Sequence, residues 1–146
     1  HRIVATLSEP GWYFADSTNA VVVAPTCDLS PEYILACLNS RLLQWRFQLT
    51  SSNNNVGTNE LAALPIKLLD LGDAGEARTH AAIVAQVGHL MQLGARLNAN
   101  PSVKVRAEAI ERFREVRSNL DRTIETLYSL TTDEAALVHR RFAAPP

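Results

Sequence analysis

The sequence predicts an α+β chain: a small mixed α/β domain over residues 1–75, followed by a two- to three-helix antiparallel, coiled-coil-like region over 76–146. Three observations carry this expectation. Short β-branched and aromatic runs separated by turn residues fill the first 25 positions. Six of the nine aromatics (Trp12, Tyr13, Phe14, Tyr33, Trp45 and Phe47) precede Gly75. Beyond Gly75, apolar residues recur at helical spacing almost to the end.

Ile3, Val4 and Leu7 form a first strand-like run, closed by the turn Ser8-Glu9-Pro10-Gly11. Trp12-Tyr13-Phe14 has high β preference. Asp16-Ser17-Thr18-Asn19 reads as a second turn, because these side chains bond their own backbone. Ala20-Val21-Val22-Val23-Ala24 is apolar at every position and ends at Pro25, the pattern of a strand covered on both faces.

A helix follows. Ser30 suits the N-cap, Pro31 the first helical position, and Glu32 the positive end of the dipole. Leu35, Leu38, Leu42, Trp45 and Leu49 recur at spacings of 3, 4, 3 and 4. That stripe predicts one continuous helix over 30–49, packed on a twisted sheet. Asn39 and Ser40 interrupt it and are expected to face solvent or bond back to the preceding turn. Of the ten residues Thr50–Asn59, nine are polar or Gly, which predicts a loop. Glu60–Leu64 reads as a helical turn ended by Pro65, and Ile66, Leu68 and Leu69 as a last strand.

The second half predicts an antiparallel helix pair over 77–97 and 103–130. One seam runs through Ile83, Val87, Leu90, Gly94 and Leu97, the other through Ile110, Phe113, Val116, Leu120, Ile124 and Leu127. Asn98-Ala99-Asn100-Pro101-Ser102 separates them. Thr132, Asp133 and Glu134 start a third, short helix ending near Phe142.

Composition excludes several classes. The 146 residues carry 14 basic and 15 acidic side chains, a net charge of −1, so no overall field attracts phosphate. Residues 1–75 hold four basic and seven acidic side chains, and 76–146 hold ten and eight. No apolar run approaches the roughly 20 residues that cross a bilayer. The N-terminus lacks a basic-then-apolar signal layout. Cys27 and Cys37 form no CxxC pair, and His1, His80, His89 and His139 are scattered. A zinc site is therefore not expected, and the cysteines read as reduced thiols of a cytoplasmic protein.

No phosphate-cradling glycine loop and no nucleophile elbow occur. Asp70, Asp73, Asp133 and Glu134 lie where capping explains them. The chain is expected to be non-catalytic, with no metal and no cofactor of its own. The loop is the best candidate site. Asn bonds adenine bidentately in the major groove, Ser and Thr read several bases, and Gly admits a close backbone approach. Ser51, Ser52, Asn53, Asn54, Asn55, Gly57, Thr58 and Asn59 are the candidate DNA-contacting residues, with Arg41 and Arg46 as phosphate contacts. Trp12 and Tyr13 suit either base stacking or a core, and aromatics in an early strand are more often core.

Segment order adds a resemblance. Pro31–Leu43, reading PEYILACLNSRLL, resembles the Leu-Asn-Ser helix of DNA target-recognition domains in restriction–modification enzymes. Such domains occur in type I specificity subunits and at the C-terminal side of fused type IIG methyltransferase–nucleases, as in the TaqI-like C-terminal specificity domain. In that pattern a Gly-containing polar loop, a leucine turn and a Pro-Ile pair follow. Val56-Gly57-Thr58, Leu61–Leu64 and Pro65-Ile66 take those places, with Lys67 where the pattern has a second proline. Gly11-Trp12-Tyr13 and Val21–Val23 sit where those domains have a hairpin. Ile124–Glu134 is similar to the tail of fused type IIG proteins, with Tyr128-Ser129 replacing a Tyr-Gly pair.

The resemblance implies a target-recognition domain over 1–75 and a helical region beyond it. Its partners would be double-stranded DNA and the methyltransferase domain of the same parent protein, with no membrane. That separate adenine-N6 methyltransferase domain would use S-adenosylmethionine, possessed by neither half of this chain, and a nuclease could accompany it. His1 in place of an initiator Met fits a C-terminal piece of such an enzyme. The alternative expectation is a protein–protein module that uses the helical pair and makes no DNA contact.

Overall fold

The computed structural model describes residues 2–8, 11, 13, 15, 18–51 and 56–142. Among them lie six helices and no strand: α1 (Pro31–Asn39), α2 (Arg41–Thr50), α3 (Thr58–Ala62), α4 (Ala74–Asn98), α5 (Val103–Leu127) and α6 (Thr132–Phe142). The expected α+β class, with a mixed α/β domain and a helix packed on a sheet, is therefore corrected to all-helical.

In the first run that suggests a strand, helix side chains bond the backbone of Ile3 and Ala5. Gln44 accepts from Ile3 N–H at 2.9 Å and donates to Ile3 C=O at 2.8 Å. Asn39 makes the same pair with Ala5, at 3.1 and 2.9 Å. Each carboxamide imitates one rung of a ladder, offering a donor and an acceptor side by side. The expected last strand is held by phenols. Tyr33 Oη donates to Lys67 C=O at 2.8 Å, Lys67 N–H donates to Tyr128 Oη at 3.0 Å, and Tyr128 Oη donates to Pro65 C=O at 2.6 Å. The run Ala20–Ala24, expected to be covered on both faces, is mostly exposed, with Val22 at 88%. Tyr13 is 99% exposed and belongs to no core; Trp12, Phe14, Asp16 and Ser17 lie outside the described residues.

The single helix expected over 30–49 is two helices. Ser40 has ψ 151° and serves as C-cap of α1 and N-cap of α2. Its hydroxyl donates to Cys37 C=O at 2.7 Å and accepts from Leu43 N–H at 3.2 Å, closing both helix ends with one side chain. The break resets the helical phase. The buried side chains are Tyr33, Ala36, Cys37 and Leu38 on α1 and Leu43, Gln44 and Phe47 on α2, while Leu49 of the expected stripe faces solvent.

The helix pair agrees with expectation. α4 begins at an Asp73 N-cap whose carboxylate accepts from Gly75 and Glu76 N–H. It ends where Asn100 takes φ 53°, a left-handed value that Asn tolerates. α5 returns antiparallel along it. Ile83 and Val87 of α4 meet Leu120 and Ile124 of α5 in the main core, together with Ile3, Leu29, Tyr33, Leu43, Phe47, Leu64 and Leu69. That core draws on both sides of residue 75. A smaller cluster, Leu93, Ala109 and Val116, seals the far end of the hairpin. α6 forms as expected and packs against α2 and α5 through Arg141, His139 and buried Val138.

Candidate nucleic-acid interface

The polar loop is mounted on the end of α2. The helix stops at Ser51, whose N–H donates to Phe47 C=O at 2.8 Å. Ser52, Asn53, Asn54 and Asn55 lie outside the described residues. On the return side, Glu60 Oε2 accepts from Gly57 N–H at 2.9 Å. The same carboxylate bonds the Ser51 side chain, and the Gly57 and Ser51 bonds hold its pKa below the ordinary glutamate value. Glu60 thus ties the outgoing flank of the loop to the incoming one. Gly57 has φ −78°, so it is not needed for a left-handed backbone. Its value is closeness: a Cβ there would stand 3.3 Å from Glu60 Oε2.

Asn19 makes a second tie. Its Nδ2 donates to Val56 C=O at 2.7 Å, and its Oδ1 accepts from Thr58 Oγ1 at 3.2 Å. Of the candidate residues, Gly57, Thr58 and Asn59 are exposed and Ser51 is half-buried. Thr58 and Asn59 belong to the first turn of α3. The Gly57 N–H and the Thr58 hydroxyl proton are both committed within the chain.

The two arginines diverge. Arg41 opens α2, and its N–H donates to Asp121 Oδ1 at 2.9 Å. Its Nε lies 3.4 Å from Asp121 Oδ2, which Arg117 Nε approaches to 3.7 Å. Asp121 is 2% exposed, and its Oδ2 has no hydrogen-bond donor among the described residues. Burial pushes its carboxyl above the ordinary aspartate value. The Arg41 N–H and the two guanidiniums oppose that rise, and Glu125 adds to it. Arg41 is thus a strut between α2 and α5. Arg46 is half-buried about 140° around α2 from Arg41, at 100° per residue, and has no ion-pair partner among the described residues.

Other polar chemistry is equally committed. A cleft of about 510 Å³ between α4 and α5 is lined by Lys67, Asp73, Glu76, Thr79 and Thr126. Lys67 Nζ donates to Leu127 C=O at 2.7 Å, and Asp73 caps α4. Cys37 is buried, and loss of solvent pushes its thiol up to about 11. No group of three metal-ligating side chains occurs among the described residues, and no helix there is long and apolar enough to cross a membrane.

Asn19, Glu60 and Asp121 are not among the site residues that the sequence points to. The three-residue spacing from Gly57 to Glu60 is the capping-box interval and was the one legible signal. Asn19 and Asp121 act over 37 and 80 residues, beyond any local pattern. Comparison with protein-family models, with curated proteins and with solved structures finds no match to this chain.

Proposed function

We propose that this chain is the sequence-recognition module of a restriction–modification enzyme. It selects the duplex DNA site at which a separate adenine-N6 methyltransferase domain acts. The observation that carries the reading is the loop, a Ser/Asn segment mounted on α2 and tied at its base by Glu60 and Asn19. Fixed ends lower the ordering entropy that a free loop of this length loses on meeting a groove. The likeness of Pro31–Leu43, of the loop with its Pro65-Ile66 sequel, and of Ile124–Glu134 to restriction–modification proteins points the same way. S-adenosylmethionine belongs to the methyltransferase domain, and the site of action is the cytoplasm.

The test is selection from a random-sequence duplex pool. The 146-residue chain should enrich one motif. Replacing Asn53, Asn54 and Asn55 together by Ala should erase or alter that motif, since each base-reading contact discriminates by about 1–3 kcal/mol. No enrichment at all refutes the reading, and an unchanged motif refutes the assignment of base reading to the loop. A second reading, a protein-docking module using the helical pair, is favoured by exposed Met91 on α4 and Val103 on α5. Under it, the chain enriches nothing and Met91→Lys abolishes capture of a methyltransferase domain.

A further inference from the structure

The net charge of −1 hides a segregation. α2, the second half of α5 from Arg117 to Leu127, and the last turn of α6 from His139 to Phe142 together hold six arginines: Arg41, Arg46, Arg117, Arg122, Arg140 and Arg141. They hold two carboxylates, Asp121 and Glu125. These pieces pack together. Arg41 meets Asp121, His139 Nε2 lies 2.6 Å from Glu125 Oε1, and Arg141 Nε donates to Gln48 at 3.1 Å.

Both carboxylates are underneath, at 2% and 7% exposure, and each is already paired. Arg122, Arg140 and Arg141 are exposed. The acidic residues of α6, Asp133 and Glu134, lie in its opposite, first turn, where Glu134 is bonded to Thr131. A basic last turn also suits the dipole of α6, which accounts for Arg140 and Arg141 but not for Arg122, one turn before the last turn of α5. The exposed charged side chains of these three pieces are all guanidinium, the group whose planar fork fits phosphate oxygens.

We propose that this face is a phosphate-binding platform for duplex DNA, with Arg122, Arg140 and Arg141 as its backbone contacts. The proposal rests on the recognition reading above and extends it. Arg41, held by Asp121, braces the platform rather than serving as its principal contact. α2 packs against both α5 and α6 and ends at Ser51, the near flank of the polar loop.

The experiment measures binding of the 146-residue chain to a 20-base-pair duplex of arbitrary sequence between 50 and 200 mM NaCl, by fluorescence anisotropy. Each phosphate contact contributes about 0.9 to the slope of log K against log salt. Arg122→Gln with Arg140→Gln should lower the slope by about 2, and adding Arg141→Gln by about 3, with at least tenfold weaker binding at 50 mM. A control that removes equal charge, Arg106→Gln with Arg112→Gln and Arg114→Gln on the far half of α5, should leave the slope unchanged. The double variant spares the Arg141–Gln48 contact and so guards against loss of the α6 packing.

An unchanged slope, an equal loss in the control, or no binding at 50 mM overturns the platform. The two readings fail separately. If the arginine variants keep the slope while the loop variants change the enriched motif, the platform is wrong and recognition stands. If the slope falls while the loop variants change nothing, the platform stands and the loop assignment is wrong.

Discussion

Asp121 offers a sharp test of how α2 is held. Its Oδ1 takes the first N–H of α2 at 2.9 Å, and its Oδ2 faces two guanidiniums at 3.4 and 3.7 Å. Burial outweighs these partners, so its carboxyl titrates above the ordinary value of 3.8. A group whose folded pKa is raised contributes most below its unfolded pKa. That contribution is lost as pH rises through the folded value. Ionising Asp121 therefore lowers stability relative to its protonated form, even though Oδ1 accepts the first N–H of α2. Asp121→Asn keeps the acceptor and removes the charge. It should lie within about 1 kcal/mol of the parent at pH 7 or above it, and flatten the pH dependence of stability from 3.8 upward.

Asp121→Ala instead orphans the Arg41 N–H and leaves two guanidiniums unopposed. A charge-assisted hydrogen bond contributes about 1.5–3 kcal/mol, and each half-exposed ion pair about 0.5 kcal/mol. The alanine variant should lose about 3 kcal/mol, or about 10 °C in Tm for a chain of this size. Circular dichroism melts across pH 4–8 decide it. If Asn is as damaging as Ala, the carboxylate charge itself holds α2 and the burial argument fails.

Two further perturbations test the carboxamide stitching and the turn after α5. Gln44→Ala removes one acceptor and two donor contacts to Ile3 and Leu38 in a buried position, and should cost about 2–3 kcal/mol while raising amide exchange at Ile3 and Ala5. Fast exchange already present in the parent would refute it. Ser129 sits at φ 57°, so Ser129→Gly relieves left-handed strain and should raise Tm by about 3–4 °C, near 1 kcal/mol; a lower Tm would show that the Ser129 side chain holds the turn.

Helices were legible where the signal was local. The Ser30-Pro31 start of α1, the Asp73 cap, the Asn100 break and the Thr132 start each depend on residues within one turn of each other. Strand identity was not, because alternation reports only an extended, half-buried backbone. Ile3 is buried while Val4 is exposed, as in a strand, yet the ladder partner is a carboxamide 41 residues away on a helix. Period-two patterning constrains which face is covered and says nothing of what supplies the hydrogen bonds. Ser40 misled for a related reason. Its poor helix propensity was visible, but a stripe at 3, 4, 3, 4 argued for continuity, and one hydroxyl closing two helix ends outweighs that stripe.

Composition points to the candidate loop but not to the distribution of charge around it. Nine polar or glycine residues in ten mark Thr50–Asn59 from composition alone. The Arg41–Asp121 and His139–Glu125 contacts cannot be read that way, because they join residues 80 and 14 positions apart. Counting by halves put Arg41 and Arg46 in an acidic segment and Arg122, Arg140 and Arg141 in a nearly neutral one. Folding sorts them differently: the two carboxylates go inward, where pairing offsets part of their desolvation, and the long arginine stems carry their charge out to solvent. A total near zero therefore measures the sum of a field and not its shape. Electrostatic attraction of a polyanion depends on the shape, since charges on opposite faces lie beyond the roughly 8 Å over which physiological salt lets them cancel.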